Sequence, residues 1–206
     1  MKPILFAALA LSLSSPAFAA SVLFEDDFEN NTAGANRTPS GWSAVSGAVD
    51  ITGPGYFPQI CYNTGNCIDL DGSSGTVGHI QTTQSFTLTT GALYSLTFDY
   101  TWNYFQQQNP NSMNFGVGGF SDSLTTTGTR TSDGTGAYES LSFSFLGNGS
   151  TGAIFFQHLG ASDLGGIVID NVTLTETPVT APVPLPAGLP LLLAGLGGLA
   201  LARRKS

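Results

Sequence analysis

Apolar and polar residues alternate at every second position through the middle of the chain. In 94–102, YSLTFDYTW, Tyr94, Leu96, Phe98, Tyr100 and Trp102 fall on one face, and Ser95, Thr97, Asp99 and Thr101 on the other. Period two is the mark of a half-buried strand. Leu141, Phe143 and Phe145 alternate with serines in the same way, and Phe86 and Leu88 alternate with Ser85, Thr87 and Thr89. Short apolar runs at 154–156 and 167–169, and the pair Val172 and Leu174 between threonines, read as further strands. Gly, Asn, Asp and Ser fill the gaps, and Gly116 to Gly119 reads as a turn or bulge. No stripe of period 3.6 runs through this region. Many short strands between turn residues predict an all-β chain, an antiparallel β-sandwich of jelly-roll type.

The two ends follow different patterns. Lys2, the apolar stretch 4–13 and Ala17-Phe18-Ala19 predict a cleaved signal peptide over 1–19. The β-sandwich domain is then expected over 20–176, followed by a Pro-rich linker over 177–184. From Leu185 to Ala202 no residue is charged. As a helix this stretch would be about 27 Å long, enough to cross a bilayer core. Arg203, Arg204 and Lys205 would stop it on the cytoplasmic side.

Charge narrows the partners. The region between the two ends holds all fourteen acidic residues of the chain but only Arg37 and Arg130 as bases. Such a surface repels nucleic acid and anionic lipid. Cys61 and Cys67 enclose a short, turn-rich segment, and an exported chain meets an oxidising compartment, so a Cys61–Cys67 disulfide is expected. The loop-entropy relation gives such a bridge about 2 kcal/mol.

Catalytic signatures are weak. His79 and His158 share no motif, and there is no G-x-S-x-G elbow, H-E-x-x-H pair or phosphate-cradling loop. Asp69 and Asp71 on one strand face do not span a sugar ring as a glycosidase pair must. No enzyme is expected. Binding chemistry fits better: an aromatic ring can lie against a pyranose while amides and hydroxyls meet its hydroxyl groups. Trp102, Tyr104 and Tyr56, with Asn103 and Gln106, are the candidate residues; Trp102 also continues the strand alternation and so competes for a place in the core.

Two resemblances extend this reading. The tail segment Val183, Pro184, Leu185, Pro186, Ala187, followed by the apolar run and the basic end, resembles the VPLPA form of PEP-CTERM sorting signals. The whole signal would span 183–206. That resemblance implies a bacterial surface or extracellular-matrix protein, processed by a membrane-embedded exosortase and held by its transmembrane helix until then. Along the domain, Asp27-Phe28-Glu29-Asn30, Cys67-Ile68-Asp69-Leu70-Asp71-Gly72, Gly78-His79-Ile80-Gln81, 91–99 and Ile169-Asp170-Asn171-Val172 resemble the choice-of-anchor C family and related galactose-binding-like jelly rolls. The segment after Phe98 and the cysteine pair depart from that pattern. The resemblance implies one structural calcium between the first and last strands, held by Glu29 and Asp170 with Asp27 assisting, and backbone carbonyls completing the oxygen shell. The expected function is binding or scaffolding of polysaccharide at the cell surface. A structural surface protein without ligand and a polysaccharide hydrolase are the alternatives.

Overall fold

In the computed structural model, residues 19–61, 65–103, 110–126 and 138–178 are described, with isolated helical positions at 193, 195–197 and 203. Residues 1–18 of the expected signal peptide, the sorting motif, most of the expected membrane helix 185–202, Tyr104 and Gln106 lie outside these residues. Among the described residues no helix is long and apolar enough to cross a membrane.

The described residues form fifteen strands: β1 Ser21–Asp26, β2 Trp42–Ser46, β3 Asp50–Thr52, β4 Cys67–Asp69, β5 Asp71–Gly72, β6 Thr76–Val77, β7 His79–Thr82, β8 Phe86–Thr87, β9 Leu93–Trp102, β10 Asn111–Val117, β11 Phe120–Thr126, β12 Glu139–Leu146, β13 Thr151–Gly152, β14 Ile154–His158 and β15 Ile167–Thr177. They form an antiparallel β-sandwich. One sheet runs β12-β9-β15-β4-β3, with β1 also paired to β15; the other runs β11-β10-β14-β7-β2. Every pairing between strands is antiparallel.

The alternation read from sequence decides which side chains fill the space between the sheets. Tyr94, Leu96 and Phe98 of β9 are buried, while Ser95, Thr97 and Asp99 face outward. The opposite wall supplies Met113, Phe115 and Val117 of β10 and Ile154 and Phe156 of β14. Phe98 meets Phe115 and Phe156 edge-on, both at 5.0 Å between ring centres, the arrangement that ring quadrupoles favour. Trp42 plugs one end of this core among Phe24, Phe28 and Phe156. Its indole N–H donates to Asp26 Oδ2 at 2.7 Å, so burial leaves that donor satisfied.

The two apolar runs at the chain's end form one strand. β15 carries a bulge between Asp170 and Thr173, with Asn171 in the left-handed region at φ 50°. β4 pairs with β15 before the bulge and β1 pairs with it after. The Gly116 to Gly119 segment ends β10 and turns: Gly118 and Gly119 both have positive φ, and Val117 pairs with Phe120 across them. A two-residue hairpin with both central residues left-handed matches the right-handed strand twist, and glycine takes that conformation without steric cost.

Candidate functional site

Cross-strand register assembles an unusual row on the outer face of the larger sheet. Ile51, Ile68 and Ile169 pair in sequence across β3, β4 and β15 and point into the core. The neighbouring row must therefore point the other way. That row is Asp50, Asp69, Val168 and Thr101, each directly opposite the next. Two carboxylates directly opposite one another repel, and both are buried, so this arrangement stands only because other groups hold it.

The supports are explicit. Asp50 Oδ1 accepts the backbone N–H groups of Asn36 (2.8 Å) and Ser73 (3.0 Å), and Oδ2 accepts from the Ser73 hydroxyl. The Tyr56 hydroxyl lies 3.1 Å from Asp50 Oδ2 and 2.7 Å from Ser73 Oγ. Burial raises the Tyr56 phenol above its ordinary value, and the charge of Asp50 adds to the effect. Asp69 Oδ1 accepts from the N–H of Asp71 (3.0 Å) and of Gly166 (3.1 Å), and Oδ2 accepts from the Asn103 amide at 2.6 Å. A Cβ on Gly166 would stand 2.6 Å from Asp69 Oδ1, so the close approach of backbone to carboxylate requires glycine there. Burial dominates Asp69 and pushes its carboxyl up to about 7 against the hydrogen bonds from Asp71 and Asn103; the charges of Asp50 and Asp71 push the same way as burial.

Two loops close over this row and leave a small cavity of about 100 Å³. Asp50, Asp69, Thr52 and Asn103 form its polar side, with Ser73 at the edge. Phe57, Ile60 and Leu164 supply the apolar side. Phe57 is 47% exposed and Leu164 43% exposed, and both backbones are left-handed, with φ 49° and 69°. That conformation costs a side-chain-bearing residue about 1–2 kcal/mol. The Leu164 turn is held by Asp71, whose Oδ2 accepts the N–H groups of Asp163 (2.9 Å), Leu164 (2.8 Å) and Gly165 (3.3 Å). The Phe57 loop is held by the Cys61–Cys67 disulfide, which is formed as expected. Thr52 Oγ1 lies 3.0 Å from each sulfur, and Ile60, Cys61, Cys67 and Val168 pack together beneath the loop.

The sequence candidates distribute unevenly over this site. Asn103 lines the cavity, and Tyr56 contacts three of its lining residues, with its hydroxyl on Asp50 and Ser73 and its ring 4.8 Å edge-on from Phe57. Trp102 is buried at the end of β9, opposite Ile167, so its ring offers no open platform for a sugar. Phe57, Leu164, Asp50 and Ser73 join the site only through the fold. The signal for Phe57 lies in Gly53-Pro54-Gly55-Tyr56-Phe57-Pro58, an aromatic pair inside a turn-rich loop, where exposure is the rule.

The calcium candidates lie on the same outer face, two residues along β15. Asp170 accepts its following N–H, from Asn171, at 2.7 Å. Burial raises its carboxyl to about 7, and the negative charges of Glu29, Asp99 and Asp27 push it further in that direction. Glu29 Oε1 accepts the N–H of Asn66 at 2.9 Å, and Asp27 Oδ1 accepts the N–H of Glu29. Among the described residues no three His, Cys, Asp or Glu side chains converge to hold a metal ion. An acidic cleft of about 390 Å³ opens beside β1 and the β15 bulge, lined by Asp26, Asp27, Asn30 and Asn171 among others.

Neither a known protein family nor a curated protein matches this sequence. Solved structures do match in fold. The K1 cleaved adhesin domain of Lys-gingipain from Porphyromonas gingivalis W83 superposes with a TM-score of 0.52 at 16% identity, covering 76% of this chain and 97% of that one. The K3 cleaved adhesin domain of the same protein gives 0.51 at 17%, covering 76% and 99%. A xylan-binding CBM22-1 domain from Paenibacillus barcinonensis Xyn10C aligns more loosely, with a TM-score of 0.44 at 13% identity over 80% of this chain and all of that domain. The described domain shares the β-sandwich fold of the two adhesin domains.

Proposed function

We propose that this chain is an exported surface or extracellular-matrix protein whose β-sandwich binds polysaccharide in the groove between Phe57 and Leu164. One observation carries the reading. Two apolar side chains are held exposed, in left-handed backbone, over a cavity whose other side is polar. Strained backbone persists only where its surroundings over-determine it, and such positions cluster at ligand sites. A sugar ring presents an apolar face and a rim of hydroxyls, which is the chemistry this groove offers: Phe57 for the face, and Ser73 and Tyr56 hydroxyls for the rim. The donors on both oxygens of Asp50 and of Asp69, and on Oδ2 of Asp71, tie these carboxylates to building the site, which favours binding over hydrolysis.

Delivery follows from the chain's ends. The signal peptide would carry the chain out of the cytoplasm, the apolar helix 185–202 would hold it in the membrane, and an exosortase would process it at Val183 to Ala187. Replacing Pro184 and Pro186 with Ala should leave an uncut, membrane-bound precursor. Mature protein of unchanged mass at the surface would refute the sorting step.

The test of binding is retention of the exported protein by a polysaccharide panel. Retention by at least one polymer is expected. A protein that passes every polymer unretained is instead a structural surface component.

A calcium ion at Asp170 and Glu29 is a second proposal, supported by the crowding of negative charge around the buried Asp170. Two carboxylates and backbone carbonyls would have to form the shell, with Asp27 near it. Calcium there would brace the turn that Glu29 makes with Asn66, next to the disulfide.

A further inference from the structure

We infer that the Phe57–Leu164 groove takes uncharged polysaccharide and turns away polymers bearing uronate or sulfate groups. The inference rests on the polysaccharide reading above and adds the charge class of the polymer.

The ionisable side chains lining the groove are Asp50 and Asp69, both carboxylic acids. Among the described residues no lining residue is basic. Of the two bases in 20–178, Arg37 is described, and its side chain folds over Gly34, whose added Cβ would stand 2.5 Å from the Arg37 Nε. An acidic polymer would therefore bring its charge beside Asp50 with no counter-charge among the described lining residues, on a domain carrying fourteen acids against two bases. Low-dielectric walls around a cleft strengthen that repulsion.

The opposite choice, an amine-bearing glycan, is disfavoured by the same hydrogen bonds. Asp50 already receives two backbone N–H groups and the Ser73 hydroxyl, with the Tyr56 hydroxyl alongside. Asp69 receives two N–H groups and the Asn103 amide. Both carboxylates are buried. At Asp50, whose two oxygens each take two donors, an incoming ammonium group would have to displace one of them and leave it unpaired. What the groove presents outward is the Phe57 ring, the Leu164 side chain and hydroxyls, which suits a neutral sugar.

The test uses the exported protein and its Phe57→Ala variant against soluble hexamers: xylohexaose, cellohexaose and N-acetylated chitohexaose as neutral probes, hexagalacturonate as the acid and the glucosamine hexamer as the amine. Titration calorimetry at 50 mM and 1 M NaCl reads the affinity, and only binding weakened by Phe57→Ala counts as groove binding, which removes general attraction of an acidic protein for amines. We expect at least one neutral hexamer to bind with an affinity that changes less than twofold between the two salts, and hexagalacturonate to bind at least tenfold more weakly at 50 mM. The Debye length falls from above 10 Å to about 3 Å over this range, so any residual hexagalacturonate binding should strengthen at 1 M. Phe57-dependent binding of the acid or the amine tighter than that of every neutral hexamer overturns the inference and leaves the site intact. Absence of Phe57-dependent binding to all five overturns the polysaccharide reading itself.

Discussion

Replacing Asp69 with Asn should stabilise the domain more at neutral pH than at pH 5. Asp69 is held at about 7 in the folded chain against 3.8 for a free carboxyl. Between these values the folded state keeps a proton that the unfolded chain has released. Stability from this group is therefore fully present below pH 3.8 and is lost as pH rises to 7. Each pH step in that window costs about 1.4 kcal/mol, so from pH 5 to pH 7 the loss is about 3 kcal/mol. Asn keeps an oxygen for the Asp71 and Gly166 N–H groups, and the Asn103 amide must turn to face it. The lowered His79 and His158 act with the opposite sign, since the folded state holds them neutral below their ordinary value and acid destabilises it. They are common to both proteins and cancel in the difference. For a domain of this size 3 kcal/mol corresponds to about 6–12 °C in Tm. Thermal unfolding of both proteins at pH 5 and pH 7.5 measures it: the Tm of Asp69→Asn minus that of the parent should rise by that amount. A difference that stays constant with pH would refute the claim that burial keeps this carboxyl protonated in the folded chain.

Other perturbations probe other parts of the account. The Cys61→Ser, Cys67→Ser double variant should lose about 2 kcal/mol of stability in denaturant unfolding, and its glycan affinity should fall because the loop carrying Phe57 and Ile60 is released. Trp42→Ala should cost about 3–5 kcal/mol, whereas Trp42→Phe should cost about 1.5–3 kcal/mol for the lost bond to the Asp26 carboxylate. Added calcium should raise Tm by mass action, chelator should reverse it, and Asp170→Asn should abolish the response; a parent Tm indifferent to both reagents removes the ion.

The architecture was legible where burial writes itself into the chain at short range. The core faces of β9, β12, β14 and β15 each carry their alternation within a few residues, because one face meets the opposite sheet and the other meets water. Strand β10 carries the same signal in Met113, Phe115 and Val117 but follows a run of Gln, Asn and Pro that reads as loop. Strand β11 lies at a sheet edge and shows only Phe120 and Leu124 to the core, too few to set a period. The bulge at Asp170 broke the last strand's pattern in two. The disulfide was readable from spacing and compartment. The groove was not, for two reasons. Asp50, Asp69 and Asn103 become neighbours only through the register of β3, β4, β15 and β9, a long-range property. The exposure of Phe57 and Leu164 depends on left-handed backbone, which glycine signals in a sequence and Phe and Leu do not.

The central claim is that an exposed Phe57 is the platform on which a glycan sits. The most direct measurement is the paired affinity and Tm of the exported protein and its Phe57→Ala variant, using whichever neutral polymer retains the parent best. Phe57 is about half exposed, and Ala occupies the same left-handed backbone, so Tm should move by no more than about 3 °C. Affinity should fall at least about tenfold, or 1.4 kcal/mol. A variant that binds as tightly as the parent at unchanged Tm would contradict the account.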